Sequence, residues 1–160
     1  MARPCVKICG NTNLYDARIS LECGADMLGF IFFSKSPRYI APEEARDIIL
    51  TLKTDFLFKS IGVFVNPSKN FVEDIIKITD IDILQFHGEE PLEFIKSFNK
   101  KVIKVFRIRN ESDVLKCYEY DTADYFLLDA FSKDAYGGTG RIFNWELLRE
   151  FKFRDNDFSA

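Results

Sequence analysis

The 160 residues are 47% hydrophobic and 29% charged, enough for one domain around one sizeable core. That balance excludes a disordered, a collagen-like or a disulfide-scaffold chain. With 22 lysines and arginines against 25 aspartates and glutamates, the net charge of −3 leaves no basic excess to neutralise a nucleic-acid backbone, so no nucleic-acid partner is expected.

Taken in chain order, short apolar runs alternate with stretches of helical spacing. Val6–Cys9 reads as the first strand. Leu14–Glu22 follows as a helix that stops at Gly24. The second strand is read at Met27–Phe33. The next helix starts at Pro42, Glu43 and Glu44, and its apolar face repeats at Ala45, Ile48, Ile49 and Leu52. Ser60–Val65 is the third strand. Phe71, Val72, Ile75 and Ile76 form a helix face, with Ser68 as its cap. Ile81–Phe86 is the fourth strand, followed by a helix that opens at Pro91, Leu92 and Ile95. Val102–Phe106 is the fifth, followed by a face of Val114, Leu115 and Tyr118. Tyr125–Leu128 is the sixth, with a last helix capped by Asn144 through Phe151. Continuous apolar runs of this length suit strands covered on both faces. Six βα units therefore predict a parallel sheet, either doubly wound or barrel-forming. Neither dinucleotide nor P-loop glycine spacing appears after the first strand, where Gly10-Asn11-Thr12-Asn13 stands.

The four cysteines, Cys5, Cys9, Cys23 and Cys117, make no Cys-x-x-Cys pair, and His87 is the only histidine. No metal site is expected from that set. Lys7 interrupts the start of the chain before any long apolar run, and no run of 18 apolar residues exists. Neither a signal peptide nor a membrane span is expected, and the default is a reduced, cytoplasmic setting.

In parallel α/β folds the chemistry sits at the C-terminal strand ends. Polar groups follow every strand here: Cys9, Arg38, Asn66, Gln85 with His87, Arg107, and Asp129. Each has two readings. Cys9 is either a small buried hydrophobe or, beside a cation or a helix N-terminus, a reactive thiolate. Asp129, directly after Leu127-Leu128, either caps a loop or works as an acid whose protonated form burial favours. Arg38 is a surface arginine or the bidentate partner of a carboxylate. His87 either bonds a backbone carbonyl or lines a site. Gly137-Gly138-Thr139-Gly140 is a flexible loop or a backbone cradle for an anion.

Seven strings in one order resemble the phosphoribosylanthranilate isomerase family. They are Val6-Lys7-Ile8-Cys9-Gly10; Gly24-Ala25-Asp26 leading to Gly29-Phe30-Ile31-Phe32; Ser36-Pro37-Arg38-Tyr39; Gly62-Val63-Phe64-Val65-Asn66; Leu84-Gln85-Phe86-His87-Gly88; Leu127-Leu128-Asp129-Ala130; and Gly137-Gly138-Thr139-Gly140 with Phe143-Asn144-Trp145. The resemblance implies a (β/α)8 TIM-barrel fold and a cofactor-free Amadori rearrangement of N-(5-phosphoribosyl)anthranilate to 1-(2-carboxyphenylamino)-1-deoxyribulose 5-phosphate. It also implies Cys9 as general base and Asp129 as general acid. Arg38 would face the anthranilate carboxylate, and Gln85, His87, Gly138, Thr139 and Gly140 would line the site. Against that pattern only about six βα units are read in residues 1–160. The expectation is a single, incomplete barrel domain without the seventh and eighth strands, and with little isomerase turnover because the phosphate-holding loops belong to those units. A non-catalytic barrel remnant or assembly partner is the alternative.

Overall fold

The structure is a computed structural model, and it describes residues 3–130 and 145–148. Six strands, β1 (Lys7–Cys9), β2 (Met27–Ile31), β3 (Lys59–Phe64), β4 (Ile83–Phe86), β5 (Lys101–Ile108) and β6 (Tyr125–Ala130), alternate with five helices. These are α1 (Leu14–Glu22), α2 (Pro42–Leu52), α3 (Lys69–Thr79), α4 (Leu92–Lys96) and α5 (Glu111–Leu115). Every strand pairs in parallel with the next, in the order β1 to β6. A doubly wound sheet reverses its strand order at a switch point. Strictly sequential order is that of a barrel wall, so the sheet is of (β/α)8 type, with five βα units and a sixth strand among the described residues.

Alternation along the strands divides the core into two layers. One face carries Ile31, Ile61, Val63, Ile83 and Ile103. The other packs Phe30, Phe64 and Phe86 against Ala45, Ile49, Val72 and Ile75 of α2 and α3. The phenylalanine-rich composition has its place here. Phe32, Phe64, Phe86 and Phe98 follow one another across the helix-facing layer with ring centroids 5.6–5.9 Å apart.

Local signals explain the element ends. Helix α1 closes in a full Schellman turn: Gly24 N–H donates to Leu21 O at 2.9 Å and Ala25 N–H to Ser20 O at 3.0 Å. Gly24 takes φ +93°, which a side chain would oppose. The Ser68 hydroxyl accepts from Phe71 N–H at 3.3 Å and caps α3. At the N-terminal strand ends, three aspartates tie successive strands together. Asp26 accepts the Val6 N–H at 2.7 Å, Asp82 the Ser60 N–H at 2.8 Å, and Asp124 the Val102 N–H at 2.8 Å. Each stands one residue before an even-numbered strand and holds the preceding odd-numbered one.

The structure moves several predicted boundaries. The second strand ends at Ile31, not Phe33, where the chain turns toward Ser36 and Tyr39. The fourth starts at Ile83, not Ile81, because Asp82 is engaged with Ser60. The fifth runs past Phe106 to Ile108, so Arg107 lies within the strand, and Asp129 likewise lies inside β6. The single face of Val114, Leu115 and Tyr118 breaks after Leu115 into a 3-10 turn, Lys116–Glu119, leaving Leu115 and Tyr118 exposed. Trp145–Leu148 is a 3-10 turn, and Asn144, its expected cap, lies outside the described residues. Among the described residues no helix is long and apolar enough to cross a membrane.

Candidate active site

At the C-terminal strand ends a cavity of about 280 Å³ opens on the face that carries Ile31 and Val63. Cys9, Gln85 and Asp129 from β1, β4 and β6, and Arg38 and His87 from the loops after β2 and β4, all line it. Gly138, Thr139 and Gly140 lie outside the described residues.

Each side chain is placed by its local chain. Cys9 ends β1 and is only half-buried, opposite Gly29 of β2. A Cβ at Gly29 would stand 2.9 Å from Cys9 Sγ and 3.1 Å from Lys7 Nζ, so the missing side chain leaves the thiol and an ammonium facing the same space. Gly10 then takes φ +88°, and a Cβ there would stand 2.7 Å from Arg38 Nη1. Glycine is needed at that turn on both counts. Arg38 is exposed and donates from Nη1 to Cys9 O at 2.8 Å, while its own N–H donates to the Ser36 hydroxyl at 3.1 Å.

On the opposite side, His87 Nε2 lies 3.3 Å from Asp129 Oδ2, with the two side chains 11% and 24% exposed. The pair is close enough to attract but is not aligned as a hydrogen bond. Asp129 Oδ2, His87 Nε2 and Gln85 Oε1 are all buried without a hydrogen-bond partner among the described residues. Nearly all buried polar groups in native proteins are paired. Three orphans around one cavity mark a surface built for a polar ligand.

Of the remaining cysteines only Cys117 is the small buried hydrophobe expected of all three. Cys117 is fully buried, and burial pushes its thiol up to about 12. Cys5 and Cys23 are exposed and do not line the cavity. No group of three or more potential metal ligands occurs among the described residues. Lys7 joins the lining from the start of β1, a place that strand-end position alone does not single out. Its signal was available, because Lys7 and Cys9 are two apart on one strand and so face the same side.

The family model described as N-(5'phosphoribosyl)anthranilate (PRA) isomerase matches residues 6–159. The chain belongs to this family. An N-(5'-phosphoribosyl)anthranilate isomerase of Geobacter sulfurreducens is 44% identical over 147 residues, 92% of this chain and 71% of the relative. The crystal structure of phosphoribosyl anthranilate isomerase from Thermotoga maritima superposes with a TM-score of 0.83 at 38% identity, over 91% of this chain and 70% of that one. A second isomerase structure holds reduced 1-(o-carboxyphenylamino)-1-deoxyribulose 5-phosphate. It superposes with a TM-score of 0.75 at 40% identity, over 81% of this chain and 66% of that one.

Proposed function

We propose that the cavity at the C-terminal strand ends is the active site of a phosphoribosylanthranilate isomerase. It would convert N-(5-phosphoribosyl)anthranilate to 1-(2-carboxyphenylamino)-1-deoxyribulose 5-phosphate in tryptophan biosynthesis. The observation that carries this reading is the trio of unpartnered buried polar atoms on Gln85, His87 and Asp129, which face the same cavity as Cys9.

The chemistry follows from the two sides of the cavity. Asp129 in its protonated form gives a proton to the furanose ring oxygen. The ring opens as the anthranilate nitrogen forms a Schiff base with C1. Cys9 as thiolate then takes the proton from C2, and the electron pair moves toward the nitrogen to give the enol-amine, which settles as the ketone. Oxidation at C2 balances reduction at C1 within one molecule, so an acid and a base suffice and no cofactor is called for. Lys7 places an ammonium beside the thiolate that this step requires. Arg38 has five N–H groups in a planar fork; with one Nη1 bond to Cys9 O, a carboxylate can still be received bidentately. Gly138, Thr139 and Gly140 are assigned to the substrate-binding wall on the family resemblance alone.

The test is turnover of N-(5-phosphoribosyl)anthranilate by the purified chain with the C-terminal segment of a related isomerase supplied in trans, followed by loss of anthranilate fluorescence. Turnover that disappears in both Cys9→Ala and Asp129→Asn supports the assignment. Turnover that either variant leaves intact overturns it for that residue.

A further inference from the structure

Behind the cavity, a buried ion pair that the isomerisation does not use holds the turn after β4. Lys104 stands on the helix-facing side of β5, in register with Phe86 and Phe126, among Val102, Phe106 and Ile108. Its Nζ lies 2.8 Å from Glu90 Oε2, and the two side chains are 3% and 2% exposed. A pair this deep loses in desolvation much of what it gains in attraction, and apolar residues of similar size fill such a place at little or no cost. Stability alone does not account for it.

The other bonds of the pair point to a different role. Both Glu90 carboxylate oxygens accept the Gly88 N–H at 3.0 Å, and Lys104 Nζ donates to Gly88 O at 2.7 Å. The N–H and C=O of Gly88 are therefore both held by the pair. Glu90 Oε1 also accepts the N–H of Asn66, two residues past the end of β3, at 2.8 Å. The Asn66 side-chain oxygen accepts the Glu89 N–H at 2.7 Å. Tyr120 completes the cage: its hydroxyl donates to Glu90 O at 3.1 Å, and Lys104 Nζ lies 5.7 Å from its ring centroid. A Cβ on Gly88 would collide with the Asn66 amide oxygen and would stand 2.7 Å from the Asn66 backbone nitrogen. The residue before Gly88 is His87, the neighbour of Asp129.

We infer that Glu90 and Lys104 are positioning residues: by clamping both backbone groups of Gly88 to the loop after β3 and to the middle of β5, they set where the His87 imidazole stands against Asp129. The inference rests on reading the cavity as the isomerase site. Its test does not depend on turnover, because His87 is the only histidine and gives one pair of imidazole signals, Cδ2–H and Cε1–H, in a ¹H–¹³C spectrum of ring-labelled protein, of which the Cε1–H signal is followed.

The decisive variant is the double substitution Glu90→Leu with Lys104→Met, which removes the clamp without leaving a lone buried charge. Its His87 signal is expected to shift or split relative to the parent. Its kcat should fall roughly 10- to 100-fold with a smaller change in KM, the scale of a displacement of about 1 Å at a reacting centre. Asn66→Gly is the milder companion. It is exposed, tolerates the φ of +46° at that residue, and removes only the bond to Glu89. A smaller shift of the same signal is expected. A His87 signal in the folded double variant that overlays the parent's overturns the inference. If the double variant does not fold, an unmoved signal in Glu90→Gln, which breaks the ion pair and weakens the bonds to the Gly88 N–H, overturns it instead. A shifted signal in a protein whose parent shows no turnover supports the clamp and counts against the isomerase reading; an unmoved signal with an active parent does the reverse.

Discussion

The two ends of the same sheet treat the same side chain in opposite ways. At the N-terminal end, Asp26, Asp82 and Asp124 each accept a backbone N–H of the neighbouring strand. Asp26 also faces Arg3, whose guanidinium, together with the Val6 N–H, holds its carboxyl below the usual range. Burial works against ionisation of Asp82, yet the Ser60 N–H and hydroxyl and the Lys53 ammonium outweigh it and lower its pKa. At the C-terminal end, Asp129 keeps a buried oxygen without a hydrogen-bond partner among the described residues. Satisfied carboxylates stitch strands together, while an unsatisfied one stores binding and proton-transfer capacity for a ligand. The contrast lies in whether the carboxylate oxygens are engaged, and these four aspartates divide accordingly between the two ends.

The largest expected effect tests the chemical end. Asp129→Asn and Cys9→Ala should each lower kcat by roughly 10²- to 10⁴-fold, the range of a general acid or base. Thermal unfolding should be little changed for Asp129→Asn, since the isosteric amide keeps the packing and Oδ2 has no hydrogen bond to lose among the described residues. A large loss of stability would place Asp129 with the stitching aspartates and erase the contrast.

Asp82→Ala tests the other end. It leaves the fully buried Ser60 without an acceptor for its N–H and its hydroxyl proton, at a cost of about 2–3 kcal/mol. The urea midpoint should fall accordingly, while turnover per folded molecule stays at the parent's value. Reduced turnover with an unchanged midpoint would reverse the assignment.

Lys7→Met is a smaller perturbation on the chemical side. Removing one charge across a partly solvated gap should lower kcat about tenfold, with little effect on the midpoint of unfolding. Unchanged kcat would make Lys7 a strand residue whose ammonium has no part in the reaction.

How far the sequence reveals this division depends on how local each signal is. Gly24, Ser68 and Pro42 act on their own helices, and their roles are readable from a few neighbouring residues. Cys9, Gln85, His87 and Asp129 stand at or beside strand ends, where parallel α/β topology alone directs attention. The stitching aspartates carry a weaker signal, an acid directly before an apolar run at alternate strands, visible only once the strands are paired. The Glu90–Lys104 pair carries almost none. A lysine in a strand reads as solvent-facing, and its partner is fourteen residues away across a short helix. The break after Leu115 was also illegible, because Leu115 and Tyr118 continue the helical spacing but face solvent.

Asp113 sharpens the comparison with the smallest effect, because it is a satisfied carboxylate near the C-terminal strand ends. It stands in the first turn of α5 and accepts from Arg109 Nε at 2.8 Å, Arg109 Nη2 at 2.9 Å and the Arg109 N–H at 3.1 Å. The Arg109 guanidinium lowers its pKa to about 2, against the resistance of partial burial. A carboxyl depressed in the folded state contributes stability that is fully present above its unfolded pKa, near about 4, and disappears as pH falls through the folded value. The urea midpoint of the parent should therefore exceed that of Asp113→Asn by a steady margin at neutral pH. The margin should narrow as pH falls from about 4 to about 2. It should be smaller than the loss at Asp82→Ala, since the Arg109 side chain is 51% exposed and solvent screens the pair. Turnover at neutral pH should not change. A constant margin down to pH about 2 would mean that shape and neutral hydrogen bonds, not charge, hold this turn. A change in kcat would mean that a carboxylate's role is decided by which end of the sheet it occupies, whereas the structure ties that role to whether its oxygens are already engaged.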